Sequence, residues 1–186
     1  PPSEHLVGRV GVTVPAGSLA YRLAIQQGEE AGVTLPRDTV RVGAGNSSAL
    51  GLSDLVLGSR TANLAWRRTP RDTVIFNPLR TYKRDEEMEL YYEIEGLRPA
   101  PYTVELEVRK KGSNGGLFKK IFGGGGAAIR LKFDQQATTS TVSTHRSLKL
   151  DRLKPGQYVL ALMVVDADGR RDQRSREFQV VEEEKK

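Results

Sequence analysis

Tyr158-Val159-Leu160-Ala161-Leu162-Met163-Val164-Val165 decides the fold class. It is the longest apolar run in the chain, and its eight residues fall far short of the ~20 a bilayer-spanning helix takes. Pro155-Gly156 precedes it and Asp166-Ala167-Asp168-Gly169 follows. A short run bounded by turn residues and apolar on both sides reads as a central strand with no water on either face. The neighbouring segments alternate instead. Glu89-Leu90-Tyr91-Tyr92-Glu93-Ile94-Glu95 sets Leu90, Tyr92 and Ile94 on one face, with the charges and Tyr91 on the other. Val104, Leu106 and Val108 alternate with Thr103, Glu105 and Glu107; Ile129-Arg130-Leu131-Lys132-Phe133 repeats the pattern, and Glu177–Val181 turns Phe178 and Val180 inward. A period of two is the signature of strands, and helical periodicity is nearly absent.

Turn chemistry sets the connections. Asp166-Ala167-Asp168-Gly169 offers a glycine where a positive φ is needed and so joins two antiparallel strands. Lys154-Pro155-Gly156 and Glu95-Gly96-Leu97-Arg98-Pro99 read the same way. Six or seven short strands over about 105 residues is the arithmetic of an immunoglobulin-like or fibronectin-III-like sandwich, expected over residues 78–182. The absence of cysteine excludes only the disulfide-bonded antibody type.

The front of the chain resembles a shortened copy of the end of that domain. Pro15-Ala16-Gly17-Ser18-Leu19-Ala20-Tyr21-Arg22-Leu23-Ala24-Ile25 parallels Pro155-Gly156-Gln157-Tyr158-Val159-Leu160-Ala161-Leu162. Asp38–Val42 then parallels Glu177–Val181, and Leu6–Val14 parallels Ser147–Leu150. The sequence therefore predicts an all-β protein of tandem immunoglobulin/fibronectin-III-like β-sandwiches, the first one incomplete. Its expected parts are a partial sandwich over 1–58, a connector over 59–77, the full sandwich over 78–182 and a charged tail over 183–186. Three strands bury too little apolar surface to stand alone. The front region is thus expected to pack on the second domain, on residues upstream, or on a partner. Trp66, beside Arg67 and Arg68 in the connector, either seals the junction or serves a partner as an aromatic anchor.

Composition narrows the chemistry. The chain has 186 residues, 29 Lys+Arg against 23 Asp+Glu for a net charge of +6, two His and no Cys. Thiolate nucleophiles, iron–sulfur clusters and cysteine zinc sites are excluded, and a His-rich metal site is disfavoured. A basic excess raises nucleic acid as a partner. Yet acids interleave with bases, as in Lys83-Arg84-Asp85-Glu86-Glu87, which reads as a solvated mixed surface. The chain opens on Pro1-Pro2 without Met, so it is expected to be processed or part of a longer one, with any targeting segment upstream.

Each candidate for chemistry has a plainer reading. Asp166, Asp168 and Asp172 echo a calcium loop, but arginines intrude and no Glu follows at the twelfth position, so a hairpin turn is the better account. Ser53-Asp54 with His145 lacks a nucleophile elbow; Ser53 reads as a turn or capping residue and His145 as solvated, in a loop or edge strand. Gly-rich stretches at 112–116 and 123–126 lack the Lys-Ser/Thr and helix of a phosphate loop. They bracket Leu117-Phe118-Lys119-Lys120-Ile121-Phe122, an apolar and cationic arm on flexible flanks. That arm either folds back over a sandwich end or docks on a protein or membrane surface.

Leu52-Ser53-Asp54-Leu55-Val56-Leu57, Asn77-Pro78, Glu89 through Leu97 and Leu153-Lys154-Pro155-Gly156-Gln157-Tyr158 occur in this order. In order and spacing they resemble the carboxy-terminal region of bacterial GWxTD-domain-containing proteins, over residues 15–182. The signature that names that family is absent here. The resemblance implies a tandem β-sandwich in a cell-envelope compartment, with no active site to carry over. A stand-alone segment of this kind also fits an extra-membranous accessory subunit of a large bacterial membrane complex, photosynthetic reaction-centre assemblies being one example.

The expectation is a non-enzymatic structural or interaction protein, periplasmic or otherwise in the cell envelope, without cofactor, metal or small-molecule substrate. Its partners are expected to be other protein subunits, with a peripheral membrane contact open to the arm and no nucleic acid. The surfaces expected to make contact are Leu117, Phe118, Lys119, Lys120, Ile121 and Phe122, and Trp66 with Arg67 and Arg68. The alternative is a carbohydrate- or peptide-binding β-sandwich module of a secreted protein, for which Tyr91 is the one outward-facing aromatic platform.

Overall fold

A computed structural model of the chain describes residues 10–43, 48–61, 64–69, 72–112 and 126–182. They fall into two compact units, one ending and the other beginning at the 47/48 boundary. Every regular element among the described residues is a strand.

In the front unit, β1 (Gly17–Tyr21), β2 (Ala24–Gln27), β3 (Ala31–Thr34) and β4 (Asp38–Val42) form nested antiparallel pairs, β1 with β4 and β2 with β3. This is one long hairpin, turning at Gly28-Glu29-Glu30, where Gly28 has a φ of 59°. Within this unit the described strands form the one two-stranded ribbon. Asp38–Val42 pairs with β1 alone, so the ribbon is a hairpin closed on itself.

The second unit is a complete two-layer sandwich. One sheet holds β5 (Gly51–Leu52), β6 (Val56–Ser59), β10 (Glu87–Glu95) and β13 (Val142–Lys149), with β10 central, paired to β13 on one side and to β5 and β6 on the other. The other sheet runs β12 (Ile129–Gln136), β11 (Pro101–Lys110), β14 (Gly156–Asp166), β15 (Arg171–Val181), β9 (Thr81–Lys83), the last pair parallel. Consecutive strands change sheet at β10/β11, β12/β13 and β13/β14, which is the crossing pattern of immunoglobulin-like sandwiches. A separate hairpin, β7 (Ala65–Thr69) and β8 (Asp72–Ile75), occupies the stretch read as a connector. The sandwich thus begins earlier than residue 78, because Leu52 pairs with Ile94 and Leu57 with Leu90.

Alternation dictates what each strand buries. Met88, Leu90, Tyr92 and Ile94 of β10 face Val104, Leu106, Val108, Leu160, Leu162, Val164, Phe178 and Val180 in one core. Along one margin the sheets are tied by polar contacts. Leu52 N donates to Asp172 Oδ2 at 2.9 Å, Arg176 pairs with Asp54 at 2.9 Å, and Arg170 donates to the Ser48 and Gly96 carbonyls. On the opposite margin the Arg146 guanidinium lies 3.7 Å over the Phe133 ring and donates to the Tyr92 hydroxyl at 3.1 Å.

Candidate interaction surfaces

The ribbon's side chains divide by face. Its register pairs Leu19 with Val40 and Ile25 with Val33. Between the pairs Tyr21↔Asp38 and Ala24↔Thr34, two residues intervene on the first strand and three on the second, so the pairing slips by one. One extra residue reverses the phase of a strand. Odd-numbered Val33 and Leu35 therefore join even-numbered Val40 and Val42 on the face that carries Leu19, Tyr21, Leu23 and Ile25. Pro36, which has no amide proton to donate, falls within the slip. The result is a ribbon with one mainly apolar face, interrupted by Asp38 opposite Tyr21. That face is open: Tyr21, Leu23, Ile25, Val33, Leu35 and Val40 are each 40–55% exposed. The Tyr21 hydroxyl donates to Asp38 Oδ2 at 3.1 Å, and this bond, with the carboxylate's charge, raises the phenol's pKa above its ordinary value.

The residues singled out from the sequence lie elsewhere. Leu117, Phe118, Lys119, Lys120, Ile121 and Phe122 fall outside the described residues. The strands on either side of them are fixed: Lys111 pairs with Glu177 at 2.6 Å, and Ala128 N donates to Val108 O. Trp66 and Arg67 stand on β7, Trp66 half-buried opposite the buried Val74 and Arg67 exposed. Arg68 lies on the same strand. The hairpin approaches β6 so closely that a Cβ at Gly58 would lie 2.0 Å from the Ile75 carbonyl oxygen.

The residues weighed for catalysis or metal binding have structural duties. Asp166 closes the β14–β15 turn: its Oδ1 accepts from Asp168 N and Arg170 N, its Oδ2 pairs with the Arg170 guanidinium at 2.6 Å, and Gly169 takes a φ of 77°. Asp172 is engaged by Leu52 N and Arg174 instead. Ser53 Oγ accepts from Glu93 N at 2.8 Å and donates to Asp54 O, while Asp54 pairs with Arg176. His145 is exposed on edge strand β13, its ring 4.8 Å from that of Tyr91. Tyr91 corrects an expectation. It is 4% exposed and its hydroxyl donates to Glu93, so it offers no flat face to a sugar ring.

Two polar clusters escaped the sequence reading. Glu107, on the outer face of its sheet, is 1% exposed, with Arg109 at 2.8 Å and Arg130 at 2.6 Å. The two arginines compensate the buried carboxylate and leave the triad with one net positive charge, and the Glu107–Arg130 pair ties β11 to β12. Beside an open cleft of about 370 Å³ lined by Thr61, Asn77, Tyr82 and Lys83, the Glu86 carboxylate accepts from Ser59 Oγ, from Thr61 Oγ1 at 2.5 Å and from Lys83 N at 3.0 Å. Burial pulls the Glu86 pKa up, but the hydroxyl and amide donors outweigh it and hold the carboxyl below its ordinary value. Tyr82, fully buried against Phe178, makes no hydrogen bond through its hydroxyl; burial pushes its pKa far above the usual phenol range. Alternation exposes neither cluster, because Glu107 and Glu86 occupy positions where a charge normally meets water.

No family model and no curated protein matches the chain. Among solved structures it is similar to the PmoD soluble domain from Methylocystis sp. ATCC 49242 (Rockwell), at 12% identity and a TM-score of 0.37, over 68% of this chain and 89% of that one.

Proposed function

We propose that the chain is a non-enzymatic interaction protein, an extra-membranous accessory or scaffold subunit that docks on a larger bacterial membrane assembly. The observation that carries the proposal is the ribbon's apolar face, held in solvent at 40–55% exposure along both strands. A lone two-stranded ribbon is marginal in water, and an exposed apolar face of that extent marks a contact surface. The sandwich supplies what such a subunit needs beneath its contacts, a rigid two-sheet scaffold whose loops and strand edges are free to vary. Arg67 and half-buried Trp66 on the β7–β8 hairpin add an aromatic and cationic anchor of the type enriched at interfaces.

Location in the periplasm or cell envelope rests on the resemblance to GWxTD-domain-containing proteins, and an assembly of the photosynthetic reaction-centre kind is one such host. No helix of the described residues is long and apolar enough to cross a membrane. The arm over 117–122 is the second proposed contact. Gentle purification from native membranes followed by mass spectrometry tests the proposal. The chain should travel with a fixed set of membrane subunits, and deletion of residues 113–125 or Trp66→Ala should release it. A chain recovered alone from native material would contradict it.

A further inference from the structure

We infer that Arg146, at the open margin of the sandwich, binds a carboxylate that this chain does not supply, held as a fork on the two terminal nitrogens of the guanidinium. The ligand is a carboxylate on an apolar stem, as in a short-chain fatty acid or an acidic side chain presented by a partner.

The margin lies between β12 and β13, the edge strands of the two sheets. Alternation turns Leu131, Phe133 and Gln135 of β12, and Val142, Thr144 and Arg146 of β13, towards the space between the sheets. This side of the sandwich is not sealed. Leu131 is 36% exposed, and Phe133, Val142 and Arg146 are half-buried.

Arg146 differs from the other arginines of the sandwich. Arg109 and Arg130 meet Glu107, Arg170 meets Asp166, Arg174 meets Asp172 and Arg176 meets Asp54. Arg146 meets no carboxylate among the described residues. Its guanidinium lies over the Phe133 ring, its Nε donates to the Tyr92 hydroxyl, and its Nη2 is enclosed without any acceptor. An enclosed donor on a charged group is destabilising when its hydrogen bond is unmade, and a cation–π contact offsets only part of that.

The groups around it are donors as well. The Tyr102 hydroxyl donates to Gln135 Oε1 at 2.7 Å, which commits the amide oxygen and leaves the amide nitrogen to donate. No acceptor among the described residues takes it. Tyr92, having accepted from Arg146, keeps its own hydroxyl proton to give. Burial and Tyr92 raise the Tyr102 pKa while the Arg146 charge opposes them, so these groups lie within one another's field. A set of donors with an uncompensated cation is completed by an anion. The planar guanidinium matches a carboxylate fork. Leu131, Phe133 and Val142 around it favour a singly charged group on an apolar stem over a multiply charged phosphate, whose desolvation is costlier. Because Arg146 is only half-buried, the ligand meets the guanidinium at the mouth of the margin, and a rotation on the Phe133 ring brings Nη2 to the second oxygen.

The test follows the arginine Nε–H signals of the full chain by NMR, with Arg146 assigned from their change in Arg146→Lys. The wild type is titrated with sodium butyrate, with sodium chloride at equal ionic strength, and with a capped pentapeptide carrying one central glutamate between valines. The Arg146 signal should shift saturably with butyrate or with the peptide and stay still in chloride. Saturation by butyrate identifies a free carboxylate as ligand; saturation by the peptide alone identifies a partner's acidic side chain; both uphold the site. Arg146→Met, which fills the same margin without a stranded cation, should fold and lose the rise in melting temperature that the ligand gives the wild type. An equal shift in chloride, no saturation by butyrate or peptide, a glutamine version of the peptide that binds as tightly, or an undiminished ligand-induced rise in Arg146→Met would each overturn the inference.

Discussion

Leu19 through Ile25 and Tyr158 through Leu162 are alike as local sequence, each following a Pro and a Gly and each mixing Tyr, Leu and Ala, yet the two stretches meet opposite fates. Tyr158, Leu160 and Leu162 are at most 3% exposed, whereas Tyr21, Leu23 and Ile25 are 43–55% exposed. The difference comes from neighbours. β14 has β11 on one side, β15 on the other and a second sheet over its inner face. β1 and β2 have one partner strand apiece. Strand propensity is a local property and burial is not, so equal patterns can make a core strand in one place and a contact surface in another.

The largest effect should come from the sandwich backbone. Gly96 has a φ of 71°, and a Cβ there would lie 2.1 Å from the Ala49 carbonyl oxygen. Gly96→Ala combines left-handed strain with a backbone clash and should cost about 3 kcal/mol or more in chemical denaturation. An equally strained position is absent from the ribbon's turn, where Gly28 has open space around it. Next comes the direct contrast of side chains. Leu162→Ala should destabilise by roughly 2–5 kcal/mol through lost burial and an unfilled cavity. Ile25→Ala should move the same unfolding transition by less than about 0.5 kcal/mol. Equal losses at the two positions would mean that the ribbon's face is already covered within the chain.

A smaller effect is the acid limb of stability. Glu86 has its folded pKa below the unfolded one, so its contribution is complete above the ordinary carboxylate range and is lost as pH falls through the lowered folded value. Thermal melts from about pH 6 to 3 should fall less steeply for Glu86→Gln than for the wild type. The smallest effect is a gain. Tyr82→Phe removes a buried hydroxyl without a hydrogen bond and should raise the melting temperature slightly, by up to about 1 kcal/mol of added stability. A loss there would show that the hydroxyl has a partner in solution.

Much of the sandwich was legible because its strands write their burial into the sequence. Leu90-Tyr92-Ile94, Val104-Leu106-Val108 and the unbroken Tyr158–Val165 need no tertiary information to be read as two half-buried strands and one central one. β13 was harder. Val142–Lys149 is mostly Ser, Thr, His and Arg, and as an edge strand it keeps Ser143, His145, Ser147 and Lys149 in water. The two-residue β5 and the Gly58-containing β6 are held by pairing with β10 instead of by their own pattern, which moved the unit's start from residue 78 back to about residue 48. The apolar face of the ribbon was hidden by the one-residue slip near Pro36. Alternation counted straight through that point assigns Val33 and Val40 to opposite faces, and only the register reunites them. Glu107 and Glu86 could not be read at all, since Arg130, Ser59 and Thr61 lie on other strands or in a turn.

Hydrogen exchange, resolved by peptide and measured on the dilute full chain, tests the contrast between scaffold and contact surface most directly. Amides of β11, β14 and β15 should exchange only through global opening, while those of β1–β4 exchange orders of magnitude faster and slow down when the face is covered. Ribbon amides as protected in the dilute chain as those of β14 would contradict the account.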